Sequence, residues 1–308
     1  MITCQRIISG DAMRLVATIL ISLLFGLGIT PLYAATSTTS TAKSMPVSGM
    51  LLSTHPLYLI AQAVTQGIEQ PELLLAANQS GHDIQLRPND RKRLKQASLV
   101  LWFGRQYEAP LAHVLAGQPN AIALFELNAF KRLPLRDAQG KPYANSLDPH
   151  IWLEPLNAVG IAHAIAAVRS RQFPQYASRY QQNARVFSQR LMQAANPYQR
   201  RPPMAYWAYH DAYQYLERSL NLQFKGSLTI EHDLPPTIRQ LAWLQQQRPA
   251  KQVTKPMCLL AEGHADPSVL KRLQPVNIQT IDEIMLGQTD FVAGWLKVAQ
   301  AVASCAKT

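Results

Sequence analysis

The sequence has few cysteines, few acidic residues and no short metal-binding motif. Three cysteines among 308 residues are too few for a disulfide-rich scaffold, and neither Cys-x-x-Cys nor His-Glu-x-x-His occurs. Lys and Arg outnumber Asp and Glu by 30 to 19, which gives a formal net charge of +11. Hydrophobic residues make up 47% of the chain, enough for one large globular domain or two modest ones. Any metal site must therefore be built from residues that are distant in sequence.

The N-terminal residues predict export from the cytoplasm. Residues 14–34 form an apolar run that follows Arg6 and Arg14 and ends in small residues. We interpret residues 1–34 as a cleaved secretory signal peptide and residues 35–45 as a flexible Ser/Thr linker. An uncleaved membrane anchor is the alternative, because the run is about as long as a short transmembrane span of roughly 17 to 25 residues. No cysteine stands at the cleavage point, which argues against a lipoprotein.

Export decides how the charge and the cysteines are interpreted. Loss of Arg6, Arg14 and Asp11 with the signal peptide removes +1 from +11 and leaves +10 on the mature chain. A basic chain can bind nucleic acid, but an exported protein rarely meets any, so we expect no nucleic-acid partner and a solvated or membrane-attracted basic face. Cys258 and Cys305 most simply form a disulfide outside the cytoplasm, with two buried free thiols as the alternative.

Short apolar runs alternate with helical patterns along the mature chain, as is typical of parallel sheets with helical crossovers. A long helical pattern at 173–198 separates residues 46–172 from residues 199–308. We therefore predict an α/β fold of two lobes with mainly parallel sheets and flanking helices, joined by one long rigid helix. The predicted buried strands are at 49–54, 71–77, 98–104, 121–127, 204–209, 257–262 and 277–281.

Several polar residues fall just after predicted strands. His82 follows the second strand, His210 and Asp282 directly follow later ones, and His150 closes a loop that contains Gly and Pro. In open parallel sheets, ligands bind outside the carboxyl ends of the strands. Three neutral imidazoles and one carboxylate can close a tetrahedral shell around Zn²⁺. The pattern therefore predicts a zinc site in the cleft between the lobes.

Two other interpretations of these residues stay open. Each histidine by itself is more readily a surface or core residue, and only the shared position at strand ends favours a site. An exported zinc hydrolase would use three His ligands and an activated water, but no Glu stands in a metal-adjacent helical motif to act as general base. Asp83 and Asp211 follow two of the histidines directly, where a carboxylate can accept the hydrogen bond of a ring N–H.

Several segments together resemble the periplasmic metal-binding receptors of ABC importers, most closely the zinc receptors of the cluster A-I family. "GHDIQLRPNDRKRLKQASLVLWFG" is similar to that family's His-containing loop, the next helix and the next strand, and "PHIWLEP" to its His-x-Trp-Leu element. "YWAYHDAYQYLERSLNL" and "QTIDEIMLG" are similar to the segments that carry its third His and its Asp. "KPMCLLAE" and "AVASCAKT" match the two cysteines of its disulfide. The likeness runs from about residue 47 to the C terminus.

The resemblance implies a receptor that binds Zn²⁺ through His82, His150 and His210, with Asp282 or water as fourth ligand. Some relatives have Glu before the first His, where this chain has Gly81. The resemblance also implies a monomer without enzymatic activity, which docks on an inner-membrane ABC permease powered by a cytoplasmic ATPase. A receptor for Mn²⁺ or Fe²⁺ is the nearest alternative, and manganese-binding relatives tend to have a carboxylate at the position of His210. A periplasmic zinc chaperone would use the same site.

The remaining candidates have weaker support in the sequence. His55, His232 and His264 have no role in the site of that family, so they are either an auxiliary metal site or ordinary exposed histidines. Trp152 and Tyr213 are predicted to line the cleft wall. Many zinc receptors of this type carry a loop rich in His and acidic residues ahead of the second ligand. Residues 131–149 contain no His here, so we expect no loop-based metal capture.

Overall fold

The computed structural model describes residues 49–82, 84–229, 235–250, 255–263 and 265–305. The predicted signal peptide and the Ser/Thr linker lie outside the described residues, and so do Asp83, His232 and His264. None of the helices in these ranges combines the length and the apolar character that crossing a bilayer requires.

The first sheet has four parallel strands in the order β2-β1-β3-β4, with helices in the crossovers. A proline in the first turn of each of its three helices favours the helix start, because the fixed φ of proline suits that position and its missing N–H is not needed there. The elements are β1 (Met50–Leu52), α1 (His55–Thr65), β2 (Glu72–Leu73), α2 (Pro88–Gln96), β3 (Leu99–Trp102), α3 (Ala109–Leu115) and β4 (Ala121–Ala123).

Two long helices connect the two sheets. The helix α4 (Pro155–Gln172) is followed by a short 3-10 turn and then by α5 (Ala177–Gln199). The buried residues of α5 recur every three or four positions, as an amphipathic helix requires, and include Tyr180, Phe187 and Leu191. A long helix is therefore present where the sequence predicts one, although the exact boundaries of the lobes stay a prediction.

The second sheet repeats the arrangement of the first, with parallel strands in the order β6-β5-β7-β8. Its elements are β5 (Met204–His210), α6 (Glu217–Leu220), β6 (Leu222–Thr229), α7 (Ile238–Gln246), β7 (Met257–Ala261), α8 (Pro267–Leu273), β8 (Val276–Thr280) and α9 (Phe291–Ser304). Cys258 in β7 and Cys305 after α9 form a disulfide, with their Cα atoms 5.4 Å apart. The predicted fold of two parallel-sheet lobes with flanking helices is confirmed.

A single hydrophobic core extends across both lobes. It contains side chains from the inner faces of both sheets, such as Met50 and Leu101 from the first and Tyr206 and Leu260 from the second. Each sheet also has one smaller hydrophobic cluster on its outer face. Trp295 of α9 donates a hydrogen bond from Nε1 to the carbonyl oxygen of Leu153 at 2.9 Å, which ties the C-terminal helix to the first half of the chain. A shared core of this kind favours a fixed angle between the lobes.

Candidate metal centre

The carboxyl ends of the strands in the second sheet deliver three polar side chains to one place. His210 is the last residue of β5, Glu262 directly follows β7, and Glu283 lies three residues beyond β8. All three strands are parallel and adjacent, so residues at these ends come together although more than 70 residues separate the first from the last.

The first half of the chain contributes two histidines to the same place. His82 lies in the loop before α2, and His150 directly precedes a 3-10 turn that leads into α4. The ring centroid of His150 lies 5.8 Å from that of His82 and 6.0 Å from that of His210. His150 and His210 are buried, whereas His82 is exposed. The three histidines that the sequence predicts as ligands are thus neighbours in the structure.

His150 is oriented with one ring nitrogen toward the interior of the cluster. Its Nδ1 lies 2.8 Å from Asp148 Oδ1, the contact in which a ring N–H donates to a carboxylate. Its Nε2 lies 3.3 Å from Glu283 Oε2, yet neither of these two buried atoms makes a hydrogen bond. A buried polar atom without a hydrogen bond costs about 1–3 kcal/mol, so this pair is a favourable place for a ligand.

The carboxylates complete a compact donor set. Ligand atoms of His150, Glu262 and Glu283 all lie within 4.8 Å of one another. His210 Nδ1 lies 3.4 Å from Glu262 Oε1, so His210 adjoins the same group. His82 adjoins His150, so three imidazoles and two carboxylates lie close together, which is a donor chemistry suited to Zn²⁺.

The electrostatics of the cluster favour a cation. Burial acts to lower the pKa of His150, but Glu283, Asp148 and Glu262 outweigh burial and raise the pKa to about 10. Burial raises the pKa of the Glu283 carboxyl well above its usual range, Glu262 raises it further, and His150 opposes both. A concentration of carboxylates that holds a positive charge on a buried imidazole would also stabilise a metal ion in its place.

Asp282, which the sequence predicts as the fourth ligand with water as the alternative, is half-buried and lines a small cavity with Met285 and Lys297. The compact group of His150, Glu262 and Glu283 does not include it. Its neighbour Glu283 is buried and faces His150 instead. Glu262, the last residue of the strand predicted at 257–262, was not among the predicted ligands.

Aromatic rings surround the cluster, among them Trp152, which the sequence predicts to line the cleft wall. The Trp152 ring lies 5.5 Å from that of His150, and its Nε1 donates a hydrogen bond to the carbonyl oxygen of Glu283 at 3.0 Å. Tyr107, which the sequence analysis did not single out, contacts the rings of His82 and His150. Tyr213 is fully buried, and burial together with Glu262 and Glu283 raises its pKa, so it stays neutral beside them.

Two other predicted residues make contacts outside the compact group of His150, Glu262 and Glu283. His55 is buried, and its Nδ1 lies 3.0 Å from the carbonyl oxygen of Ile284, so it contacts the segment that carries Glu283 rather than an auxiliary metal site. Asp211 is buried and forms a salt bridge with Arg136, with Arg136 Nε 2.6 Å from Asp211 Oδ2. Neither side chain belongs to the group of described residues that could hold a metal ion.

Glu108 should make the stability of the protein depend on pH. It directly follows Tyr107, in the loop between β3 and α3. Its Oε2 accepts hydrogen bonds from the backbone N–H groups of Phe103 and Gly104, yet burial raises its pKa to about 7. A raised carboxyl pKa means that the folded chain binds more protons than the unfolded chain between about pH 4.5 and 7, so stability falls as the pH rises through that window. The full loss approaches about 3 kcal/mol, at 1.36 kcal/mol per pKa unit.

Glu108→Gln should remove this pH dependence, because the amide cannot ionise. In denaturant unfolding of the metal-free protein, the free energy of unfolding of the wild type should fall between pH 5 and pH 8, whereas that of the variant should not. The difference between the two should therefore change by about 3 kcal/mol in favour of the variant. Glu126→Gln, at an exposed glutamate near the same sheet, is the matched control and should follow the wild type at both pH values. Equal pH dependence in wild type and Glu108→Gln would contradict the expectation.

A family model described as "Zinc-uptake complex component A periplasmic" matches residues 51–290. The chain belongs to this family. The matched residues include all five clustered side chains and run from β1 to the residue before α9. The zinc-uptake family consists of transport receptors rather than enzymes, so the predicted resemblance is confirmed and the hydrolase alternative is not supported.

Curated relatives in the zinc-uptake family extend over most of the chain. "High-affinity zinc uptake system protein ZnuA" of Haemophilus ducreyi is 27% identical over 279 residues, covering 82% of this chain and 87% of the relative. The protein of the same name from Yersinia pestis is 27% identical over 297 residues, covering 84% and 92%.

Solved structures of similar fold agree with this assignment. AdcAII of Streptococcus pneumoniae has a TM-score of 0.67 at 18% identity and covers 83% of this chain and 97% of its own. The laminin-binding protein Lmb of Streptococcus agalactiae, described as having adhesin and metal transporting activity, has a TM-score of 0.67 at 17% identity and covers 83% and 98%. At these identities the likeness shows a shared fold and nothing further.

Proposed function

We propose that this protein is an exported receptor that captures Zn²⁺ between its two lobes and delivers it to an inner-membrane ABC permease driven by a cytoplasmic ATPase. The observation that carries the proposal is the facing pair of buried atoms, His150 Nε2 and Glu283 Oε2, 3.3 Å apart and without hydrogen bonds. His82 and His210 lie beside this pair, so the metal would be bound by His82, His150, His210 and Glu283.

The donor set supports zinc over harder cations. Three imidazoles and a carboxylate are the ligands that Zn²⁺ takes in tetrahedral sites, whereas Mg²⁺, Ca²⁺ and Mn²⁺ favour sites richer in oxygen. Zinc is also the metal named in the curated relatives. Glu262 adds a second carboxylate near His210, which would help to neutralise the ion or take a fifth position.

The same donor set supports transport rather than catalysis. A catalytic zinc site keeps an open position for water or substrate, whereas four protein ligands close a tetrahedral shell. Here the three histidines and Glu283 suffice to close it. Asp148 holds the other ring nitrogen of His150, so the imidazole is fixed in the tautomer that offers Nε2 to the metal.

Location and partner follow from the N-terminal sequence and the family. The predicted signal peptide at residues 1–34 would export the chain to the periplasm, where the zinc-uptake component of the family acts. A single copy presents both halves of the site, so a monomer is sufficient for binding. The permease would receive the loaded receptor and the ion.

Growth at limiting zinc tests this function. A strain that lacks this receptor should grow poorly in medium depleted by a zinc chelator and recover on addition of Zn²⁺ but not of Mn²⁺ or Fe²⁺. Wild-type protein expressed in that strain should restore growth, whereas His210→Ala should not. His113→Ala, at an exposed histidine of α3, is the matched control and should restore growth. Rescue by Mn²⁺ or Fe²⁺ instead of Zn²⁺ would contradict the proposal.

A further inference from the structure

The segment between β4 and His150 is bound to the opposite lobe. We call residues 131–149 the strap. Its backbone pairs with itself at Arg136 and Pro142, and its Ala138 carbonyl oxygen accepts a hydrogen bond from the Ser227 N–H of β6 at 3.1 Å. Gln214 Nε2 donates to the Pro134 carbonyl oxygen at 3.0 Å. The strap follows the first sheet in the chain, yet its contacts with Ser227 and Gln214 are with the second lobe.

Arg136 is a buried charged residue of the strap. Its Nε and Nη2 donate to the two oxygens of Asp211, at 2.6 and 2.9 Å, and its Nη2 lies 2.6 Å from Glu217 Oε1. The guanidinium also lies 3.7 Å from the ring centroid of Phe224. A paired, stacked and buried Arg of this kind is held in one geometry by all of its neighbours at once.

The contact between Arg136 and Asp211 is next to a candidate metal ligand, His210. Asp211 follows His210 in the chain, so fixing the Asp211 carboxylate fixes the end of β5 from which the His210 imidazole projects. The other end of the strap contacts a second candidate ligand, His150. Asp148 accepts a hydrogen bond from His150 Nδ1 and another from Gln214 Nε2 at 3.1 Å. The strap therefore supports one histidine from each half of the site.

We propose that Arg136 is a positioning residue for the metal site, which holds His210 in place through Asp211 and so fixes it relative to the histidines of the other lobe. The inference rests on the proposed function, because it assumes that these histidines bind the ion. Groups behind a metal ligand fix its orientation, and their replacement typically lowers metal affinity about 10- to 100-fold. Arg136 acts through Asp211 and does not touch the ion itself.

The test compares two variants of Arg136 with a control in the same strap. Arg136→Lys keeps the charge but loses the two-pronged contact with Asp211. The double variant Arg136→Gln with Asp211→Asn removes both buried charges, so it leaves no unpaired carboxylate at Asp211. Arg132→Lys is the control, since Arg132 is exposed and donates hydrogen bonds to Phe125 and Asn128 of its own lobe.

Two measurements distinguish positioning from a general loss of stability. Zinc affinity, measured by competition with a chelator, should fall about 10- to 100-fold in both Arg136 variants and change less than about twofold in Arg132→Lys. The visible absorption of bound Co²⁺, which reports ligand number and geometry, should change in the Arg136 variants and stay the same in Arg132→Lys.

The outcomes separate this inference from the proposed function. If both Arg136 variants keep wild-type zinc affinity and the wild-type Co²⁺ spectrum, Arg136 is merely structural and the inference is wrong, even if the melting temperature falls. If the wild-type protein itself fails to bind zinc, the proposed function is wrong and the inference falls with it. Weakened zinc binding with an altered Co²⁺ spectrum at an unchanged stoichiometry would support both.

Discussion

Replacing His150 with alanine is expected to lower zinc affinity roughly a hundredfold to a thousandfold. Zinc sites with four ligands have apparent binding free energies of about 10–16 kcal/mol, or about 2.5–4 kcal/mol per ligand, and 1.4 kcal/mol corresponds to a factor of ten. His150 has the central place, because its ring lies within 6.0 Å of both other histidine rings and its Nε2 faces Glu283. Competition titration of the metal-stripped mature protein measures the loss.

The control for this variant is another histidine on a neighbouring helix. His163 is exposed on α4 and adjoins the Ser188 hydroxyl, so His163→Ala should bind zinc like the wild type. Circular dichroism and thermal unfolding of both variants would establish that they are folded. Wild-type affinity in a folded His150→Ala protein would remove His150 from the ligand set.

Glu283→Gln and Asp282→Asn are expected to differ sharply, although the two residues are adjacent. Glu283 is buried with its Oε2 3.3 Å from His150 Nε2, and a neutral amide there is a far weaker zinc ligand than a carboxylate. We expect a loss of zinc affinity of about 100-fold in Glu283→Gln, by the same share of about 3 kcal/mol per ligand. Asp282 lines another cavity, so Asp282→Asn should change affinity by less than about twofold.

This pair of variants decides between the structure-based and the sequence-based fourth ligand. A large loss in Asp282→Asn with wild-type affinity in Glu283→Gln would restore the assignment that the sequence favours. Wild-type affinity in both variants would leave water or Glu262 as the oxygen ligand. The amide variants keep the size of each side chain, so differences in packing should contribute little.

The histidines were predictable because a simple rule of parallel sheets places them. Residues that directly follow parallel strands meet at one edge of the sheet, and the run ending at His210 is recognisable as a buried strand from its apolar composition. His150 lies outside any strand, so the rule does not place it; its position at the end of a loop suggested it, and the resemblance to the receptor family strengthened the prediction. The long helix α5 was predictable from the recurrence of its apolar residues.

The choice between Asp282 and Glu283 was not predictable from the same rule. It depends on a tight turn after β8, in which Met285 has a φ of +57°, and on two contacts made by residues far away in sequence. Trp152, 131 residues earlier, holds the Glu283 carbonyl oxygen, and His55, 229 residues earlier, adjoins that of Ile284. Arg136 was missed for the same reason, since its partner Asp211 lies 75 residues further along the chain.

A crystal structure of the zinc-loaded protein, with anomalous scattering recorded at the zinc edge, tests the central claim most directly. We predict a single anomalous peak between the lobes, about 2.0–2.2 Å from a ring nitrogen of each of His82, His150 and His210 and from a carboxylate oxygen of Glu283. A principal peak at any other position, or ligation that omits His150 and Glu283, would contradict the account.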